Sequence, residues 1–157
     1  MIEVALINSR LVAFVDDADA PRVLAHRWGA WAYKSGDRVF IYAGAVIEGK
    51  SVLMHRLILA APTGLLVDHR NHATLDNRRE NLRVCSRSQN QQNRRVNANS
   101  TTGVKGVRLD RTCGRYIAEI RVEGKRLHLG RFDDLAAAAD AYRTAALKLH
   151  GEFACVS

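Results

Sequence analysis

Residues 107–129 alternate in a way that only a β-sheet accommodates. Tyr116, Ala118, Ile120 and Val122 fall on one face of a strand, and Arg115, Ile117, Glu119 and Arg121 fall on the other. Val107 and Leu109 flank Arg108 on a preceding strand. After a Glu123-Gly124-Lys125 turn, Leu127 and Leu129 alternate with Arg126 and His128 on a third. Asp133 then caps a helix whose apolar positions, Leu135, Ala138, Ala139, Tyr142, Ala146 and Leu149, recur at helical spacing, and Gly151 stops it. The expected unit is a three-stranded antiparallel sheet with an alanine-rich helix close against its apolar face. Its other face is left charged and exposed.

The polar run Val96–Thr102 contains no large hydrophobic side chain beyond Val96 and reads as a linker. It divides the chain into expected domains at 1–95 and 103–157. Charge is divided unevenly as well. Of the net +8, residues 1–67 contribute +1 and residues 68–157 contribute +7. A basic half points to a polyanion as its partner. Cys85, Cys113 and Cys155 are isolated from one another and form no C-x-x-C pair. A zinc knuckle and a disulfide framework are therefore not expected, which fits a reducing, cytoplasmic location. No apolar run approaches the ~20 residues of a membrane span, so no membrane partner is expected.

The first domain opens with β-rich runs at residues 2–7 and 10–15 around Asn8-Ser9, a hairpin. Asp17, Asp19 and Pro21 start a short helix that extends to about Trp28. Val39–Ala43 and Ala45–Ile47 read as a second hairpin turning at Gly44, and Leu53–Ala60 as a short helix on which His55 is a packed side chain. Leu65–Asp68 and Leu82–Val84 are short strands joined by a polar loop. Ser86, with Gln89 three residues on, caps a helix running to about Arg95.

This strand–loop–strand–helix unit brings together groups suited to phosphodiester hydrolysis. That reaction needs a water to lose its proton, and it needs charge on phosphorus and on the leaving oxygen to be neutralised. Asp68 offers a carboxylate and Asn90 an amide oxygen, the hard donors that Mg²⁺ (or Mn²⁺) prefers. His69 offers an imidazole whose ordinary pKa of ~6.5 suits it to accept a proton. Two successive strand residues point to opposite sides, so a local twist is needed to bring Asp68 and His69 to one cleft.

The segment VDH…DNRRENLR…SRSQNQQN, with MHRLIL before it, resembles the HNH endonuclease motif of phage and intron-encoded homing enzymes. The resemblance implies a ββα-metal finger over residues 54–95. It casts His69 as general base, Asp68 and Asn90 as ligands of a divalent metal, and Asn81 as the residue bracing the loop. His72 stands where that family often has an acidic residue or glycine. Arg78, Arg83 and Arg87 become expected phosphate contacts. Residues 103–157 resemble the plant ethylene-response-factor DNA-binding domain, carried by GVKGVRLD, GRYIAEIRVEGKRLHLGRFDD and AAAADAYRTAALKLHGEFA. That resemblance implies that the exposed sheet face reads duplex DNA. Lys105, Arg108, Glu119, Arg121, Arg126 and His128 would make the contacts, and Tyr142 would touch a phosphate. The plant domain has an aromatic where His128 stands, so its sequence preference does not transfer.

The reading is thus an α+β chain: a hairpin-and-helix scaffold, an HNH finger, then a sheet packed on one helix. Its expected activity is metal-dependent, homing-type cleavage of double-stranded DNA, by a monomer or weak dimer acting in the host cytoplasm if phage-encoded. The alternative is an inactive, sequence-specific DNA-binding regulator on the same scaffold.

Overall fold

The computed structural model describes residues 1–36, 38–97 and 99–156. The fold is α+β, built from small antiparallel sheets and short helices, and its contacts divide into two compact units, Met1–Ser86 and Arg87–Ser157. No helix among the described residues is long and apolar enough to cross a membrane.

In the first unit, β1 (Ile2–Ala5) and β2 (Val12–Val15) pair antiparallel from Ile2↔Val15 to Ala5↔Val12. Asn8 in their connection does more than turn the chain. Its Oδ1 accepts from the Ala30 backbone N–H at 2.6 Å and its Nδ2 donates to the Ala30 carbonyl at 3.1 Å, tying the hairpin to the next sheet. A 3₁₀ turn (Asp17–Asp19) leads into α1 (Ala20–Leu24), which ends before Trp28. The Trp28 indole is almost fully buried and donates to the Val23 carbonyl at 2.8 Å.

The second sheet runs β3 (Gly29–Ser35), β4 (Arg38–Ile47) and β5 (Lys50–Leu53), with β4 in the centre. This corrects the expected hairpin at Gly44, which lies inside one long strand. Glycine is there because the Trp31 ring lies across the backbone, and a Cβ would overlap it. Helix α2 (Met54–Leu59) follows and buries Met54, His55 and Ile58. A third sheet is formed by β6 (Leu66–His69) and β7 (Leu82–Cys85), in register Leu66↔Cys85 to His69↔Leu82. Leu82, with Val67 beside it, joins the core of Leu6, Val15, Val23, Trp28, Met54 and Ile58, so the β6–β7 hairpin stands on the unit's own hydrophobic floor.

The second unit begins with α3 (Arg87–Gln92), shorter than the expected helix to Arg95. Three strands follow: β8 (Val107–Asp110), β9 (Arg115–Val122) and β10 (Lys125–Phe132), in order β10-β9-β8. Helix α4 (Leu135–His150) covers one face. Ala118, Ile120, Ala138, Tyr142 and Ala146 form the core, as the alternation requires. A bulge between His128 and Gly130 shifts the β10 register. The N-cap of α4 is Asp134, one residue later than the sequence indicated, its side chain accepting from the Ala137 N–H at 2.8 Å. At Gly106 φ is +71° and a Cβ would overlap the Tyr142 ring, so only glycine lets helix and sheet approach this closely.

Candidate active site and nucleic-acid interface

Asp68 and His69 are the last two residues of β6, both buried. The register puts Asp68 directly opposite Arg83 of β7. Cross-strand neighbours share a face, and Arg83 donates from Nε (2.8 Å) and Nη2 (2.7 Å) to Asp68 Oδ2. Arg83, expected on DNA phosphates, is therefore buried, and its guanidinium is committed to the carboxylate. Arg78, also expected on phosphates, donates to Asp76 at 2.8 Å and pairs with Glu80 at 2.7 Å. Arg87 is exposed at the start of α3.

The loop between β6 and β7 is fastened at several points. The Phe14 N–H donates to the Leu75 carbonyl and the Asn77 N–H to the Phe14 carbonyl, each at 2.8 Å, so the loop adds a short parallel bridge to β2. Asn81 braces it internally, accepting from the Asn71 N–H at 3.0 Å and donating to the Asp76 carbonyl at 2.7 Å. His72 takes a left-handed conformation (φ 63°), its N–H donating to the His69 carbonyl at 3.0 Å.

This bracing delivers Asn77, a residue the sequence reading did not single out, to His69. Asn77 is 1% exposed, and its Nδ2 donates to the Leu75 carbonyl, which leaves Oδ1 facing the ring. His69 Nε2 lies 3.4 Å from that oxygen. Since an amide oxygen only accepts, a hydrogen bond here puts the hydrogen on Nε2, which in the neutral ring leaves the lone pair on Nδ1. Two more rings close the environment. His55 of α2 meets His69 edge to face at 5.1 Å, and Tyr42 of β4 lies 5.4 Å from His55 and 6.0 Å from His69. Burial pushes the His69 pKa down, opposed by Asn77 and by the charges of Asp68 and Asp76. Burial, followed by repulsion from His69 and Arg56, pushes that of His55 down to about 3. Both rings are thus neutral at pH 7. Burial, and then the nearby Asp68 charge, also raises the Tyr42 pKa.

The neutral His55 makes the fold sensitive to acid. Below pH ~6.5 the unfolded chain protonates this ring while the folded chain resists until about 3. Its contribution is complete above ~6.5 and is lost as pH falls toward 3, at about 1.4 kcal/mol per pH unit. Urea midpoints measured between about pH 7 and pH 4 are expected to fall less steeply for His55→Phe than for the wild-type chain. Parallel profiles would show that His55 protonates as readily in the folded chain.

Asn90 lies half-buried on α3 and belongs to the second unit. Among the described residues no three His, Cys, Asp or Glu side chains are grouped as a metal cage. Asp68 and Asn90 each by itself offers an oxygen of the kind a hard divalent cation prefers, a carboxylate from Asp68 and an amide oxygen from Asn90. Arg83 on Oδ2 keeps that carboxylate in one orientation.

On the sheet, Arg108, Arg121, Arg126 and His128 are exposed on the face opposite α4. Glu119 lies among them, its Oε2 3.6 Å from Arg126 Nη1 and 3.8 Å from Arg108 Nε. Lys105, expected on DNA, instead donates its ammonium to the carbonyls of Gln92 and, at 2.6 Å, Arg94. The Tyr142 ring is buried against Gly106, and burial raises its pKa to about 12.

Residues 52–92, the stretch that holds Asp68, His69 and the bracing Asn81, match the HNH endonuclease family. The chain is also similar to Protein 3.8 of Escherichia phage T7, 30% identical over 93 residues, which are 59% of this chain and 76% of the phage protein. It belongs to the family of that phage protein and carries an HNH endonuclease domain. A second likeness is to Dehydration-responsive element-binding protein 2D of Arabidopsis thaliana, 51% identical over 55 residues. That stretch is 34% of this chain and 26% of the plant protein, so the chain spans about a quarter of that relative's length. No solved structure matches.

Proposed function

We propose that this chain is a metal-dependent endonuclease that nicks double-stranded DNA, targeted by its C-terminal sheet. The observation that carries the reading is the state of His69: buried, neutral, and held through Nε2 by Asn77, beside Asp68 in a domain that matches the HNH endonucleases. A neutral imidazole with its lone pair on Nδ1 is the form a general base needs. His69 takes the proton of the attacking water. Asn77 keeps the ring in one tautomer, and the aromatic edges of His55 and Tyr42 fix its plane. Asp68 and Asn90 would hold a divalent metal, which supplies charge neutralisation at the phosphate and the leaving oxygen. Asn81 acts through the loop and touches no substrate.

The exposed arginines of β8, β9 and β10 suit bidentate contacts to guanine in a major groove, with Glu119 orienting Arg108 and Arg126. The plant relative is named as binding a dehydration-responsive element, and this supports a DNA-reading role for the sheet. A phage or mobile-element source and a homing role belong to this reading, and the likeness to a phage protein supports the source. The product is a nick with 5′-phosphate and 3′-hydroxyl ends, since one catalytic centre cuts one strand at a time.

Supercoiled plasmid incubated with the full chain and Mg²⁺ or Mn²⁺ is expected to become nicked circles, and EDTA is expected to stop the conversion. Duplex binding with no metal-dependent nicking would replace this reading with that of a DNA-binding regulator.

A further inference from the structure

The segment that reads as a linker is one wall of a basic cleft. Within the second unit, a cavity of about 540 Å³ lies between residues 91–97 and 99–100 on one side and the sheet on the other. Arg94 and Arg95 line it on the segment side; Arg108, Arg121 and Arg126 line it from the strands. Asn97, Asn99 and Ser100 add neutral hydrogen-bonding groups, and Glu119 is the single acidic side chain lining it. Five guanidinium groups around one carboxylate make a site for a polyanion.

Lys105 builds this wall. By donating to the carbonyls of Gln92 and Arg94 it satisfies acceptors that the end of α3 leaves unpaired, and it draws the segment after α3 back to the start of the sheet. An untethered segment after α3 would sweep Arg94 and Arg95 through solvent. A clamped one holds both exposed side chains at the mouth of the cleft. The half-buried ammonium is held by these two acceptors, and burial lowers the Lys105 pKa.

We infer that this cleft holds the sugar-phosphate backbone of duplex DNA, with Arg94 and Arg95 contacting phosphates alongside the strand face that reads bases. The inference rests on the DNA-binding reading of the sheet and adds a second, sequence-independent contact to it. Phosphate contacts position the duplex and carry no sequence information. Arg94 and Arg95 therefore set affinity and its salt dependence but not target choice.

The test uses the full chain in EDTA, so that no cutting occurs, with two fluorescent duplexes of unrelated sequence. Each phosphate contact contributes about 0.9 to the slope of log affinity against log salt. The Arg94→Ala/Arg95→Ala chain is expected to lose about 1.8 from that slope. Its affinity loss between about 50 and about 200 mM salt should thus shrink about tenfold. Both duplexes should weaken by the same factor. Lys105→Met, with its fold checked by circular dichroism, is expected to lower the slope in the same direction, because the wall is released. An unchanged slope in the double variant, with Arg121→Ala still weakening binding, overturns the cleft and leaves the sheet reading intact. An unchanged slope in the double variant together with unchanged affinity in Arg121→Ala overturns the sheet reading as well. Weakening of one duplex alone assigns Arg94 and Arg95 to base reading and overturns the backbone role.

Discussion

Replacing His69 with alanine is expected to lower the rate of metal-dependent plasmid nicking by about 10²–10⁴-fold, the range that a positioned general base contributes. The loss should fall on kcat, with DNA affinity in EDTA unchanged, because the ring is buried on β6 and belongs to a different unit from the sheet arginines. The geometry also constrains the pH profile. Burial favours the neutral ring and lowers its pKa, so the activity rises with pH along a limb centred below the ~6.5 of a free imidazole. Asn77 supplies a control on tautomer. Asn77→Asp keeps an oxygen facing Nε2 and should retain most of the rate, whereas Asn77→Leu removes it and should lower kcat with little change in KM. Cutting by His69→Ala at the wild-type rate would remove this side chain from the mechanism.

The parts of this architecture that sequence discloses are those whose information is local. Strands β9 and β10 and helix α4 are written in side-chain alternation and helical spacing over adjacent residues. Asp68, His69, Asn81 and Asn90 stand out because the spacing of a family motif marks them. Strand β3 was missed because only Gly29 along it is fully buried and residues 32–35 are exposed, so no apolar face marks it. Gly44 misled for a related reason: glycine usually signals a turn, but here it makes room for Trp31 from the neighbouring strand. Asn77 and His55 reach His69 only through long-range packing, one by a loop bridged to Phe14, the other from a separate helix. No local pattern encodes either contact. Lys105 is a similar case, since a lysine clamping carbonyls reads in sequence like a lysine awaiting phosphate. Arg83 is different. Once the β6–β7 register is known, it stands opposite Asp68, and the pairing of opposite charges across a hairpin follows.

That pairing sets the second large effect. Arg83→Met is expected to destabilise the first unit by about 3–5 kcal/mol, because the buried Asp68 carboxylate then loses its guanidinium in surroundings that solvate charge poorly. The side chains are 6% and 9% exposed, so water does not screen or replace the interaction as it would at a surface pair. The cost is that of a stranded charge and not of lost packing, since methionine fills much of the arginine stem's volume. Removing the carboxylate too should therefore recover most of the loss: Arg83→Met/Asp68→Leu is expected to be more stable than Arg83→Met alone, though catalytically dead. Urea titration with a fluorescence probe on Trp28, buried in the same core, measures both. A shift of less than about 1 kcal/mol in Arg83→Met would place the pair in the surface class. The rescue by Asp68→Leu separates the two causes, because a strained or underpacked hairpin would be made worse, not better, by a second substitution at its centre. A divalent ion offers a third route to the same end. If Asp68 is a metal ligand, Mg²⁺ should raise the urea midpoint of Arg83→Met more than that of the wild-type chain, because the cation then supplies the positive charge that the guanidinium no longer does.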